Sequence, residues 1–310
     1  MQQRPPPIQI VLAFAGIYVI WGTTFLGIAL VIRTIPPFFS GAVRFMLAGA
    51  LMYLWLRMRT ARPLAGLHIW GGILCGVLLP GIGNGFVIWA QQGLPSGVTA
   101  LFVGAMPVSV LLMDWLFFSR RTPRLQAVLG CAVGLSGVVV LTLYTQSLHG
   151  SVRPIYVASV LLAQLSWALG TLLQPRFVRS DQVVPYSCLQ MLSGAAWQGL
   201  MGLIDREWVG FSFSQVSLVS LMALLYLVLI GSLVAVNCYS FLVAHVPAQK
   251  VTTYALVNPV IALLLGSLVL HERFSHAALL ATVLVIAGVA LVLYQGPARW
   301  MLALRPSRLV

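Results

Sequence analysis

A chain of 310 residues with 60% hydrophobic and 7% charged positions has too few polar groups to cover a soluble core, which excludes an ordinary soluble enzyme or binding domain. The formal net charge of +13 invites a nucleic-acid partner, yet the cations cluster in the joints between apolar runs, so no nucleic acid is needed to explain them. What remains is an all-α integral membrane protein whose first partner is the lipid bilayer.

A bilayer core of roughly 30 Å needs about 20 apolar residues per helix. Runs of that kind lie near 8–31, 37–56, 69–90, 96–118, 125–145, 155–175, 185–204, 217–243, 249–270 and 276–295, which predicts ten transmembrane helices. The first is too long for a signal peptide and has no cleavage box after Gly16, Gly22 and Gly27, so it is expected to be retained. It carries Tyr18, Trp21 and Thr24. The second holds Arg44, the only basic residue well inside an apolar run. The third reads GGILCGVLLPGIGNG, with Pro80 and Asn84 among glycines that permit close approach and local unwinding.

Pro107 in the fourth run and Pro259 in the ninth lack the N–H that would continue the ladder, so both are expected to bend their helices. The fifth and tenth runs are nearly pure Val, Leu, Ala and Gly and are expected to face lipid or a second copy. In the sixth, Gln164, Trp167, Thr171 and Gln174 recur at spacings of three, four and three, which is one helical stripe. Gln190 in the seventh, Asn237 in the eighth, and Tyr254 and Asn258 on one face of the ninth complete the buried polar set. Polar groups are costly in lipid, so residues that line up this way are candidates for a substrate pathway.

The chain repeats itself. RFMLAGA from Arg44 meets LQMLSGA from Leu189 at an offset of 145, Trp21 meets Trp167 at 146, and PSGVTALFVGAMPV from Pro95 meets PAQKVTTYALVNPV from Pro247 at 152. Residues 8–145 and 155–295 therefore form two five-helix repeats, preceded by residues 1–7 and followed by a basic tail, 296–310. Five is odd, so the second copy enters the membrane from the opposite side. Such a 5+5 inverted-topology repeat places a substrate near the midplane between the halves.

Orientation follows from the cations. Arg4, Arg57, Arg59, Arg62, Arg120, Arg121, Arg124, Arg176, Arg179, Lys250, Arg299, Arg305 and Arg308 fall on one side; Arg33, Arg153, Arg206 and Arg273 fall on the other. The positive-inside rule puts both termini in the cytoplasm. Arg44 lies about seven residues, roughly 10 Å, below the outer end of its helix. It is expected to snorkel outward, to find an acid or carbonyls, with Glu272 a possible partner that makes it part of an outer gate, or, as the sharper alternative, to recognise a substrate carboxylate. With no Asp, Glu or His near mid-membrane, a neutral, zwitterionic or amphipathic solute suits the cavity better than a cation.

Cys75, Cys131, Cys188 and Cys238 lie in different apolar runs, and His68, His149, His245, His271 and His276 lie in joints or at helix ends. Neither set forms a metal site or disulfide, no cofactor is called for, and no nucleophile with an acid–base pair lies at depth to make an enzyme.

The stretch YVIWGTTFLGIALVIRTIPPFFSGAVRFMLAG from Tyr18, SWALGT from Ser166, and NPVIALLLGSLVLHERF from Asn258 resemble EamA-type members of the drug/metabolite transporter superfamily. The resemblance implies a multi-pass carrier of the bacterial inner membrane, a monomer or homodimer, exporting amino acids or other small metabolites by alternating access. It supports Trp21, Arg44, Trp167, Gln190, Pro107 and Pro259 as pattern positions. His271 departs from the small residue usual before the motif's Glu272, and Ser119 and Arg120 replace that pair in the first half. A broader drug and metabolite efflux carrier, a channel and a non-transporting membrane scaffold are the competing functions.

Overall fold

The computed structural model describes residues 5–61, 63–120, 122–148, 153–270 and 276–293. Glu272, His149, His271 and the basic tail from 296 onward lie outside them. The described chain is helical with no strand, and its long helices fall into ten segments: α1 (Pro7–Val31), α2 (Pro37–Arg59), α3 (Ile69–Ala90), α4 (Ser96–Phe118), α5 (Leu125–Leu148), α6 (Pro154–Leu173), α7 (Val183–Ile204), α8 (Leu218–His245), α9 (Tyr254–Leu270) and α10 (His276–Leu293). Six of these, α1, α2, α3, α4, α6 and α8, are long and apolar enough to cross a membrane. In α5, α9 and α10 the apolar stretches are shorter, Leu125–Gly137, Val257–Leu270 and Leu279–Gly288. Helix α7 is diluted by Gln190, Ser193 and Gln198.

Local chemistry sets the ends. Pro7, Pro37 and Pro154 sit in the first turn of α1, α2 and α6, where a missing N–H costs nothing. His68 Nδ1 accepts from Gly71 N at 3.0 Å at the start of α3, and Ser217 Oγ accepts from Ser220 N at 3.1 Å at the start of α8. Arg57 and Arg59 close α2, where cations oppose the helix dipole. The expected ninth helix is interrupted at Thr252–Thr253, so a short turn, Ala248–Val251, precedes α9.

Lipid is as apolar as leucine, so the bundle is held by close packing of small residues and by interhelical polar contacts. The echoed segments of α2 and α7 lie face to face: Cys188 Sγ donates to Gly49 O at 3.4 Å, and a Cβ on Gly49 would stand 2.7 Å from Leu192 Cδ2. Helices α5 and α10, expected to face lipid or a second copy, pack on each other through one face. A Cβ on Gly288 would stand 2.3 Å from Gly134 N and 2.5 Å from its Cα, so the two backbones touch there. Their glycines are used within the chain, while Val139, Leu143, Leu279 and Val283 are left exposed.

Side-chain contacts sort the helix ends into two groups. At one, Trp89 at the end of α3 packs on Tyr156 at the start of α6 and donates from Nε1 to Asp205 Oδ2 at 3.2 Å, while Ser220 Oγ donates to Leu30 O at 2.7 Å. At the other, His68 stacks on Phe177 and Arg176 lies over Phe118 at 4.7 Å. The end of α1 and the start of α6 thus share one end of the bundle.

Two helices widen at matching places. Residues Val77–Asn84 of α3 and Leu227–Val234 of α8 are π-helical, a form in which the ladder shifts by one residue and carbonyls become available to side chains. Pro80 accounts for the first. The second has no proline.

Candidate functional site

The π stretches of α3 and α8 face the interior, and each hands carbonyls to side chains of other helices. In α3, Leu78 O accepts from Ser166 Oγ at 2.7 Å and Pro80 O accepts from Gln198 Nε2 at 2.6 Å. In α8, Gly231 O accepts from Arg44 Nη2 at 3.1 Å, and Ser232 Oγ accepts from Arg44 Nε at 2.8 Å. The absence of a Cβ at Gly231 matters here, since one would stand 3.1 Å from Nη2.

Arg44 is therefore turned inward. It is 2% exposed, and its guanidinium carbon lies 4.8 Å from the centroid of the Phe45 ring. Its remaining nitrogen, Nη1, has no hydrogen-bond partner. Of the expected options, outward snorkelling gives way to pairing with a carbonyl, because the widened turn of α8 offers Gly231 O at depth with Ser232 Oγ beside it.

Arg44 borders two chambers. The larger is lined by Trp21, Thr24, Phe25, Ile28, Arg44, Gly83, Asn84, Val87, Val103, Met106, Ala163, Gln164, Trp167, Tyr254 and Asn258. The smaller is lined by Trp21, Arg44, Phe45, Leu79, Pro80, Asn84, Trp167, Gln190, Val236, Tyr239 and Ser240. Trp21, Arg44, Asn84 and Trp167 are common to both, so they form the partition. The larger chamber has a volume of about 60 Å³ and the smaller about 20 Å³. Roughly 10–15 Å³ is the minimum for one water. The chambers thus have room for a few waters and must expand to admit a metabolite.

The partition is aromatic. Trp21 meets Trp167 edge-on at a centroid distance of 5.4 Å, and Tyr239 and Tyr254 each lie 5.0 Å from Trp21. The two tryptophans matched by the repeat therefore touch. Trp167 Nε1 donates to Tyr239 OH at 3.2 Å, and Tyr254 OH donates to Met106 Sδ at 3.0 Å. Tyr239, the ring that joins the group, was not among the sequence candidates; its only signal is a tyrosine inside an apolar run.

The other expected site residues divide by what satisfies them. Gln164 Nε2 donates to Phe102 O, and its Oε1 accepts from Ser109 at 3.4 Å, which ties α6 to α4 near the Pro107 break at Ala105. Asn258, with its amide nitrogen donating, reaches Tyr18 O at 3.0 Å and Tyr254 O at 3.3 Å. Gln190 donates to Gln174 Oε1 at 3.3 Å and accepts from Ser240 Oγ at 3.4 Å. Pro259 packs at the crossing of α9 with α4, where a Cβ on Gly104 would stand 2.9 Å from its ring.

Three of the expected substrate-binding residues do not border either chamber. Tyr18 OH is 2.5 Å from Thr253 Oγ1. Thr171 is buried, bonded to Tyr239 OH and donating to Trp167 O at 2.7 Å, so the Gln164 stripe reaches the cavity through its upper two residues only. Asn237 faces a separate side groove with Leu51, Met52, Trp55, Val184, Leu233 and Val234, and donates to Leu233 O at 2.7 Å. Asn84, like Asn237, has a buried and unpartnered Oδ1, but it stands on the partition between the two chambers.

A contact outside the helices bears on α2. Glu207, in the joint after α7, accepts from Phe38 N at 2.9 Å and Phe39 N at 2.7 Å, capping the helix that carries Arg44. Burial pushes its carboxyl above the ordinary range despite the opposing pull of the two amides, and Asp205 nearby adds to the rise. Among the described residues there is no group of three or more His, Cys, Asp or Glu able to hold a metal ion.

Known proteins place this architecture. The model of the EamA-like transporter family matches residues 8–143 and again 154–294. "Uncharacterized inner membrane transporter YedA" of Escherichia coli K12 is 33% identical over 284 residues, covering 90% of this chain and 89% of the relative. "Protein PecM" of Dickeya dadantii is 27% identical, with 88% of each chain covered. "Probable amino-acid metabolite efflux pump" of Escherichia coli K12 is 24% identical, covering 88% of this chain and 91% of that protein. A solved crystal structure superimposes with a TM-score of 0.65 at 19% identity, covering 93% of this chain and 96% of the other, which shows a shared fold.

Proposed function

The chain belongs to the EamA-like transporter family, and on that premise we propose that it is a secondary transporter that exports amino acids or similar small metabolites by alternating access around the chambers bordered by Arg44. A membrane transporter of small molecules is what the family establishes; the class of cargo and the direction belong to this proposal. The observation that carries it is the partition itself. Trp21, Arg44 and Asn84 come from the first half and Trp167 from the second, so any movement of one half against the other opens or closes the chambers.

Ten membrane spans in a 5+5 inverted repeat, with both termini in the cytoplasm, fit this reading. The two successive family matches and the excess of arginines on one set of joints support it. Alternating access needs separable contacts at both ends of the bundle. One end offers Glu207 on α2, Trp89 on Asp205 and Ser217 N on Thr34 Oγ1 at 3.2 Å. The other offers Gln182 Nε2 on Gly66 O at 3.2 Å and Tyr18 on Thr253. A ligand is exchanged when one set parts while the other holds.

Counterflow in proteoliposomes tests the proposal with a panel of amino acids and their small derivatives. Saturable exchange above empty vesicles is expected. Non-saturable flux would indicate a channel, and no flux with any member of the panel would contradict a carrier of this class.

A further inference from the structure

The chambers carry one formal charge and hold it unneutralised. Among their described lining residues Arg44 is the sole ionised side chain; every other polar lining group is an amide, hydroxyl, indole or phenol. Two of its nitrogens are fixed by Ser232 Oγ and Gly231 O, which are neutral acceptors, while Nη1 is buried and unpartnered. An unpaired guanidinium in a low-dielectric cavity is costly, and its cost falls most when a ligand brings a full negative charge. On the same partition, Asn84 Oδ1 is a buried acceptor without a donor.

These two vacancies differ in kind. Nη1 needs an anionic acceptor, and Asn84 Oδ1 needs an N–H or O–H. A zwitterion would satisfy both contacts but leave the cavity with a net positive charge and its own ammonium without a counter-ion. We propose that the cavity selects a monoanion: a carboxylate on Arg44 Nη1, a neutral N–H or O–H donor toward Asn84, and an apolar or aromatic body against Trp21, Trp167 and Tyr254. N-acylated amino acids and hydroxy acids with apolar side chains have this chemistry. The inference rests on the transporter reading above and narrows its cargo from amino acids at large to their net-anionic relatives. It departs from the zwitterion or neutral solute expected from the sequence because Arg44 points inward.

Counterflow at neutral pH with a matched series separates the possibilities: N-acetylphenylalanine (net −1), phenylalanine (net zero) and phenylalanine amide (net +1). A charge-assisted hydrogen bond to a buried group is worth roughly 1.5–3 kcal/mol, so exchange of the N-acetyl compound should exceed that of phenylalanine by about tenfold or more. Arg44→Gln should erase that ranking, and Asn84→Leu should weaken the N-acetyl compound while sparing 3-phenylpropionate, which has no donor for it. Arg44→Lys keeps the charge without the fork and should retain the order at reduced rate, which guards against a variant that merely misfolds. Equal or better exchange of phenylalanine, or a ranking unchanged in Arg44→Gln, would overturn the monoanion while leaving the carrier intact. No exchange of any of these compounds, with other panel members exchanged, would also overturn it.

Discussion

The π stretches of α3 and α8 make the same backbone departure in the two halves and put it to different uses. Around Pro80, the released carbonyls of α3 are taken by Ser166 and Gln198, neutral groups that bind neighbouring helices together. Around Gly231, α8 receives Arg44, a charged group with one buried nitrogen left without a partner. A duplicated fold can thus keep the same widened turn in both copies and bond different groups to it, and Asn84, at the end of the α3 stretch, still borders both chambers.

That division can be broken in several ways. The most severe change avoids both stretches: Gly288→Leu forces a side chain into the backbone of α5, a few tenths over 2 Å from Gly134 at the Cβ alone, with a Cβ–N distance of 2.3 Å. Overpacking of this kind costs about 1–3 kcal/mol or more. The variant should lose thermal stability and monodispersity in detergent, which sets the scale of a purely structural defect. Next come the two glycines. A Cβ on Gly231 meets Arg44 Nη2 at 3.1 Å and Thr24 Cγ2 at 3.2 Å, so Gly231→Ala should displace the guanidinium and lower transport about tenfold, near the cost of one charge-assisted hydrogen bond. A Cβ on Gly83 meets Trp167 Cε3 at 2.8 Å and Leu78 O at 3.0 Å, so Gly83→Ala should lower the melting temperature and, by displacing the partition indole, transport as well. Equal losses of transport at equal stability would erase the distinction between the stretches.

Ser232→Ala removes one acceptor of Arg44 and leaves Gly231 O in place. A loss of about 1 kcal/mol, or roughly fivefold in apparent ligand affinity, is expected with expression unchanged. The smallest effect is at Glu207. Its carboxyl titrates above the usual 4.5, so its ionisation opposes the folded state: stability is fully present below that ordinary value and falls as pH rises through the raised one. Melting temperature should therefore decline slightly across weakly acidic pH, and Glu207→Gln should flatten that slope. A slope of opposite sign in the parent protein would contradict the assignment.

Some of this was legible in the sequence and some was not. Apolar runs, the cation distribution and the offset of about 145 residues mark a membrane-embedded repeat, and the stretches from Tyr18, Ser166 and Asn258 carry the resemblance to the EamA family. Pro80 announces an irregularity in α3. LVLIGSLV announces none in α8, because a π turn without proline depends on the partner that fills it, and that partner, Arg44, is 187 residues away. The direction of Arg44 was hidden for the same reason. Likewise, Gly134 and Gly288 read as a generic small-residue face; only the assembled bundle shows that each is used by the other. Thr171 shares the stripe of Gln164 and Trp167, yet Tyr239 covers it, and periodicity carries no information about a covering ring.

The central claim is that the carbonyl bonded in the widened turn of α8 holds a ligand-recognising cation, whereas the carbonyls bonded in that of α3 tie helices together. Gln198 is fully buried and donates to Pro80 O at 2.6 Å, as Arg44 donates to Gly231 O. Measuring counterflow and thermal stability together for Arg44→Gln and Gln198→Leu tests the claim directly. Arg44→Gln should lower N-acetylphenylalanine exchange by about tenfold or more with little change in melting, while Gln198→Leu should cost about 1–3 kcal/mol of stability and leave exchange per folded molecule intact. Loss of stability without loss of exchange in Arg44→Gln, or the reverse in Gln198→Leu, would contradict it.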